Sequence, residues 1–384
     1  RQPLCIEASA QAGPHQPVGG VTVTDGAMES LEAALAGAPY AKDALDLATS
    51  AYRNGSSFGD SFAALFRGLF DRYGLILIDP MHAGIRRVAV PVLQKAIEGN
   101  AELDAALVER SRALERAGYH AQVQVNEETA LVFLIDEKQR RVLRRTDAGY
   151  SDGSRAYSTP ELLSRLKERP EDFSPSALLR PVVQDFILPT AAYVAGPTEL
   201  CYLAQAEVLY RRLLGRMPVV LPRASFTVLD SDAHDFLQRY QLSVTDCFEG
   251  PETLRKRVGE KLIPSALDTA FQQGAAGIEN SIQNIDESLA AFDSTLSSAL
   301  ATARSKMLYQ LGKIRGKAAR ESLRRNAEVQ PRIEALSNLV YPNKTQQERV
   351  YSVLAFLARH GPDFIEQLYA AISPDCHDHQ VLML

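Results

Sequence analysis

Across residues 267–296 the apolar side chains Leu267, Phe271, Ala275, Ile278, Ile282, Ile285, Leu289, Phe292 and Leu296 follow one another by steps of three or four. Such a series stays on one stripe of an α-helix and is the heptad pattern of a coiled coil. A helix of about 30 residues rises roughly 45 Å, long enough to project from a globular body. Met307, Leu311, Ile314 and Ala318 repeat the pattern, after Asp293 and Ser294, which suit the cap of a new helix. The two series predict an antiparallel hairpin. A hairpin buries one seam only, so Leu300, Leu308 and the edge at Phe292 are expected outward, and a second copy of the chain would cover them.

Residues 180–225 carry a different pattern, apolar runs of strand length alternating with helix. Residues 191–195 form one run. It ends at Gly196 and Pro197, where glycine can cap a helix and proline fits its first position. The helix that follows has Leu200, Leu203, Ala204 and Leu213 on an apolar side, and Glu199, Tyr202 and Gln205 on another side near its start. Residues 217–221 are the second strand, leading into Pro222, Arg223, Ala224 and Ser225. Open α/β sheets bind ligands beyond the carboxyl ends of their strands, where Glu199, Tyr202 and Gln205 would point. Glu199 suits an ammonium group, and Tyr202 or Gln205 a hydroxyl; a solvated helix face fits the same spacing. Arg180 lies four and five residues before Gln184 and Asp185 on a helix opened by Pro181. Arg180 could clamp a carboxylate or phosphate in bidentate fashion, and a structural Arg–Asp pair fits equally well.

Further upstream, residues 28–36 suit a helix, and residues 58–73 suit another closed by Gly74. Residues 75–78 then read as a buried strand ending at Asp79, a position that could face a ligand crevice. Residues 85–97 are a helix kinked or broken by Pro91, and residues 104–117 a helix capped by Asp104. The β-prone runs 121–125, 130–135 and 141–145 predict a small antiparallel meander. Ser158 and Glu161 form a capping box for a helix that Pro170 stops. Helices over 346–359 and 364–371 are expected to close the base of the hairpin.

A net charge of −5 carries no basic excess for a nucleic-acid partner, and no apolar run reaches membrane-spanning length. Cys5, Cys201, Cys247 and Cys376 form no CxxC pair, which fits a reducing cytoplasm rather than a disulfide framework. Cys376, His377, Asp378 and His379 are consecutive and have no second ligand pair elsewhere, so no metal is expected. Cys201 has no base nearby in sequence and reads as a small packing residue.

The segments RPVVQDFILPTAAYVAGPTELCYLAQAE and MPVVLPRAS, with FAALFRGLFDRYGLILIDP and HGPDFIEQLYAAI, resemble the cysteine-adding enzymes of bacillithiol biosynthesis, the BshC family. The resemblance runs with gaps from about Ser57 to Leu384. It implies a cytoplasmic ligase that joins cysteine to glucosaminyl-malate, with a Rossmann-like core similar to class I aminoacyl-tRNA synthetases, a small β insertion, and an antiparallel coiled coil that pairs two copies. On that footing residues 1–228 are the core, with the insertion at about 119–175, and residues 229–384 the helical coiled-coil domain. Arg180, Gln184, Asp185, Glu199, Tyr202 and Gln205 are then substrate-binding candidates. Arg223 and Ser225 occupy the place of a synthetase phosphate loop and are the candidates for ATP or another nucleotide. The PRAS segment has no lysine, so the nucleotide and the catalytic base stay open. No counterpart of the family's first Rossmann half is found, and the chain is read as an N-terminally truncated fragment whose active site would be incomplete. The alternative is a non-catalytic scaffold in which the coiled coil only joins subunits.

Overall fold

The structure, a computed structural model, describes residues 18–24, 26–136 and 139–384; Cys5 lies outside the described residues. The chain forms two compact units. One runs to Ala224 and regains Leu354–Asp378; the other comprises Ser225–Val353 and His379–Leu384.

In the α/β unit, the strands β1 (Thr129–Asp136), β2 (Gln139–Thr146), β3 (Gly149–Ser151), β4 (Ala156–Tyr157) and β5 (Phe173–Pro175) make an antiparallel sheet of order β4-β3-β2-β1-β5. Leu131, Leu134, Leu143 and Phe173 from this sheet share a core with Leu93, Ile97, Leu107, Leu162 and Leu166 of the neighbouring helices. Ser158 caps the helix Thr159–Glu168 by accepting the Glu161 N–H. Residues 121–125, expected as a strand, are not one. The backbone N–H and carbonyl of Val123 bond instead to the side-chain amide of Gln205, which satisfies that backbone without a ladder.

The helix Ala83–Glu98 runs through Pro91 without a break. The next helix begins at Asn100, so Asp104 is not a cap but an interior residue only 1 % exposed. Asn100 holds it there: its amide donates to Asp104 Oδ2 at 2.6 Å and to the Thr129 carbonyl at 2.9 Å, tying the helix start to β1. Residues 75–78 do not form the expected buried strand. Ile76 is 83 % exposed, and Asp79 turns the chain by accepting the Met81 N–H. An apolar run alone does not distinguish a buried strand from an exposed loop.

Strands β6 (Ala192–Ala195) and β7 (Val219–Pro222) pair in parallel, joined by the helix Pro197–Leu214. The helices Val353–His360 and Phe364–Ala371, expected with the hairpin, fall in this unit from Leu354 onward. The Tyr40 N–H donates to the Ala358 carbonyl, and the Tyr73 and Tyr369 rings meet at a tilt, with centroids 4.9 Å apart.

The second unit carries the short parallel pair β8 (Phe226–Leu229) and β9 (Gln380–Met383). Gln347 extends that pair, giving and taking hydrogen bonds with the Val228 backbone. Leu229, Phe236, Leu254, Val258, Leu323 and Ile333 form its core. The expected hairpin is present as the helices Ser265–Phe292 and Ser297–Arg325, with Asp293 accepting the Thr295 N–H at the turn. Glu279–Arg304 and Asp268–Arg315 ion pairs and an Asp286–Ser297 hydrogen bond set its register.

The outward face of the hairpin differs from expectation. Ile282 is 8 % exposed, whereas Ile285 is 47 % and Ile314 57 % exposed, and Leu308 is half-buried rather than outward. The helix Pro251–Lys261 meets the second hairpin helix at Gly259, where an added Cβ would lie 2.8 Å from the Ala319 carbonyl oxygen. Gly259→Val is therefore expected to cost about 2 kcal/mol in urea unfolding. Gly277→Ala, with open space around it, is expected to gain up to about 1 kcal/mol from helix propensity.

Candidate functional site

Four polar side chains from three elements converge in the α/β unit. Arg180 opens the helix Arg180–Ile187, Tyr193 stands on β6, and Glu199 and Tyr202 lie three apart near the start of Pro197–Leu214. Arg180 Nη2 donates to Tyr202 Oη at 2.5 Å and to Tyr193 Oη at 3.5 Å. Both phenols donate to Glu199 Oε1, at 2.8 and 3.1 Å, and Glu199 Oε2 accepts the Gly196 N–H at 3.0 Å. That last bond completes the helix cap foreseen at Gly196 and fixes the carboxylate. Arg180 and Glu199 themselves stand 3.5 Å apart.

Both tyrosines are buried, while the Arg180 and Glu199 side chains are 47 % and 36 % exposed. The charged ends are thus open to solvent on a rigid phenolic floor. Burial by itself would raise the Glu199 carboxyl, but the Gly196 N–H and the two phenols outweigh it and hold the group below the usual carboxylate range. Burial, then the bond to Glu199, pushes the Tyr202 phenol up. At neutral pH the cluster holds an ionised Arg180–Glu199 pair beside a protonated Tyr202.

Sequence reasoning missed Tyr193. The alternation of β6, which turns Tyr193 and Ala195 inward and Ala192 and Val194 outward, was the available signal.

Gln205 does not join the cluster. Six helical residues turn the chain 240° past one full circle, so Gln205 faces a different direction from Glu199. It is fully buried, and its amide is spent on Val123 and Ser111. Asp185 does not join the cluster either: it is 2 % exposed, accepts the Thr190 N–H at 2.6 Å, and pairs with Arg216 at 2.9 Å rather than with Arg180. Gln184 points to solvent.

The Arg223 N–H donates to the Ala195 carbonyl at the end of the β6–β7 pair. Ser225 belongs to the other unit, where its hydroxyl lies 2.6 Å from His379 Nδ1 and Thr227 lies 2.8 Å from Nε2 of the same ring. Arg223 and Ser225, the two nucleotide candidates, thus fall in different units. His379 is occupied, Cys376 contacts the Asp378 carbonyl, and among the described residues no three His, Cys, Asp or Glu groups gather around a common point. No helix among them is long and apolar enough to cross a membrane. A cavity of about 410 Å³ also opens in the α/β unit, lined by Asp43, Leu47, Asp71, Leu357, Asp363 and Ile365 among others; none of the site residues above borders it.

Two family models cover nearly the whole chain. Residues 4–224 match "Bacillithiol biosynthesis BshC, N-terminal Rossmann-like domain", and residues 226–384 match "Bacillithiol biosynthesis BshC, C-terminal coiled-coil domain". The chain belongs to the BshC family.

Among curated BshC relatives, each named "Putative cysteine ligase BshC", the protein of Solibacter usitatus is 42% identical over 369 residues, covering 96% of this chain and 70% of the relative. That of Koribacter versatilis is 37% identical, covering 88% and 63%, and that of Salinibacter ruber 31% identical, covering 99% and 70%. The chain therefore spans between 63% and 70% of the length of these three BshC proteins. Both parts of the expected fold, a Rossmann-like region followed by a coiled coil, are those of the BshC family.

Proposed function

We propose that this chain is the part of a cytoplasmic cysteine ligase that carries substrate-binding groups, acting where cysteine is joined to glucosaminyl-malate in bacillithiol synthesis. The observation that carries the reading is the consecutive match of both BshC domains over residues 4–224 and 226–384. The Arg180–Tyr193–Glu199–Tyr202 cluster supports it, because a fixed, half-exposed pair of opposite charges suits small ionic substrates. The test is mass-spectrometric detection of product from cysteine, glucosaminyl-malate and a panel of nucleotides, using a full-length enzyme that contains these residues. Ala at Arg180, Glu199 or Tyr202 is expected to lower turnover at least about tenfold, equal to about 1.4 kcal/mol. Unchanged turnover in all three would remove these residues from the substrate pocket, and no product from the unaltered enzyme would favour the scaffold alternative.

The coiled coil supports a homodimer as part of the same reading. Phe271, Ile278, Ile285 and Phe292 repeat every seven residues, as do Leu300, Met307 and Ile314. Ile285, Phe292, Met307 and Ile314 are exposed on the hairpin, leaving an apolar stripe on each helix for a second copy to cover. Asp at Ile285 and Met307 together is expected to convert dimer to monomer in sedimentation with helical content intact. Asp at buried Ile282 is expected to lower helicity itself. A monomer at micromolar concentration without any substitution would refute the pairing.

A further inference from the structure

We propose that the Arg180–Tyr193–Glu199–Tyr202 cluster is the amino-acid subsite, built to hold the ammonium and carboxylate of free cysteine rather than the dicarboxylate of the malate moiety. This assignment rests on the ligase reading above and adds to it which substrate the cluster takes.

Charge matching separates cysteine from the malate moiety. The cluster holds one cation, Arg180, and one anion, Glu199, only 3.5 Å apart. A malate group brings two carboxylates and would place at least one of them against Glu199, with no second cation in the cluster to offset the repulsion. A zwitterionic α-amino acid presents one charge of each sign at short separation, the complement of this pair. The Arg180–Glu199 separation exceeds that of a close charge-assisted hydrogen bond, so each partner retains capacity for a ligand.

Hydrogen-bond capacity gives the same answer. Glu199 accepts from Tyr193, Tyr202 and Gly196, and a carboxylate has about four acceptor sites, which leaves one for an ammonium N–H. Arg180 directs Nη2 at the two phenols, while Nε and Nη1 have no protein acceptor among the described residues and can take a carboxylate side-on. The chemistry is also consistent. Amide formation requires the sugar amine to shed its proton before it attacks, whereas the cysteine ammonium survives the reaction unchanged. A carboxylate held ionised beside an ammonium suits the group that stays charged.

Calorimetric titration of the chain with L-cysteine, cysteamine, 3-mercaptopropionate and L-malate tests this. Cysteamine lacks the carboxylate and 3-mercaptopropionate lacks the ammonium. Cysteine is expected to bind at least about tenfold more tightly than either, with no displacement by malate. Glu199→Gln, which keeps an oxygen for the Gly196 N–H, is expected to erase the preference of cysteine over 3-mercaptopropionate while preserving that over cysteamine. Arg180→Met is expected to do the reverse. Circular dichroism checks that each variant is folded, and Tyr193→Phe, expected to weaken cysteine binding severalfold, gives a milder perturbation of the same site.

Failure of the unaltered chain to bind cysteine, or tight malate binding lost in Arg180→Met, overturns the assignment. Binding does not require turnover. Cysteine binding with the expected variant pattern but no ligation in a full-length enzyme would remove the ligase reading and leave the subsite standing. Ligation whose cysteine KM is unmoved by Glu199→Gln would do the opposite.

Discussion

Raising the pH from about 5 to about 8 is expected to cost the α/β unit about 3 kcal/mol of stability through one residue, Asp104. Burial pushes its carboxyl up to about 7 from the ordinary aspartate value of 3.8, against the pull of Arg145 and Asn100. Arg145 Nε approaches Asp104 Oδ2 only to 3.7 Å, and Oδ1 has no hydrogen-bond partner among the described residues. Tyr150 on β3 faces the same pocket but donates its hydroxyl to the Ile97 carbonyl. The sign follows from proton counts. Between the two values the folded chain holds a proton that the unfolded chain has released, so stability falls as pH rises and levels off above about 7. Asp104→Asn removes the ionisation while its side-chain oxygen can still accept from Asn100. Urea unfolding should then show a steep pH dependence for the unaltered chain and a flat one for the variant, which becomes the more stable of the two at about pH 8. Parallel curves would mean that Asp104 is ionised throughout.

Arg216→Met is expected to destabilise the same unit by about 3 kcal/mol, because it strands the Asp185 carboxylate inside the protein. Asp185 is buried and Arg216 supplies its countercharge at 2.9 Å, while the Thr190 N–H fixes the same oxygen. Arg216 also donates to the Thr190 carbonyl, so the pair clamps the turn that delivers the chain into β6. Asp185→Asn keeps an acceptor for Thr190 and should cost less. If Asp185 is structural, folded Asp185→Asn protein binds cysteine as the unaltered chain does. Loss of affinity with stability unchanged would return Asp185 to the substrate site.

The features legible beforehand were those set by local rules. Heptad spacing located both hairpin helices, and Gly196 and Pro197 marked the start of the site helix, since both patterns depend on neighbours within two turns. The misreadings depend on distant partners. Asp104 has the identity of a cap, but Asn100 begins the helix earlier and Arg145 comes from a strand. The run 121–125 has strand composition, yet its partner is the side chain of Gln205, 82 residues away from Val123. Gln205 was grouped with Glu199 because successive steps of three look like one face over a single turn; a second step carries the rotation into the core. Arg180 was recognised by type, but its meeting with Tyr193 requires the helix and β6 to be placed together, and spacing alone does not specify that.

The sequence order of the two units bears on how the protein can be taken apart. The chain leaves the α/β unit at Ala224, returns for Leu354–Asp378, and leaves again to supply β9 to the hairpin unit. No single cut yields either unit whole. Severing the chain at the family boundary near residue 225 would carry Leu357, Phe364 and Ile365 away from the unit in which they are buried. Removing everything beyond Val353 would instead leave β8 without its strand partner and Thr227 without His379, 152 positions along the chain. Closing a loop of that length carries a conformational entropy cost, so this contact is expected to form after the locally connected hairpin. A protease acting between residues 353 and 379 would therefore release the two ends of one unit from each other while cutting only a segment of its neighbour.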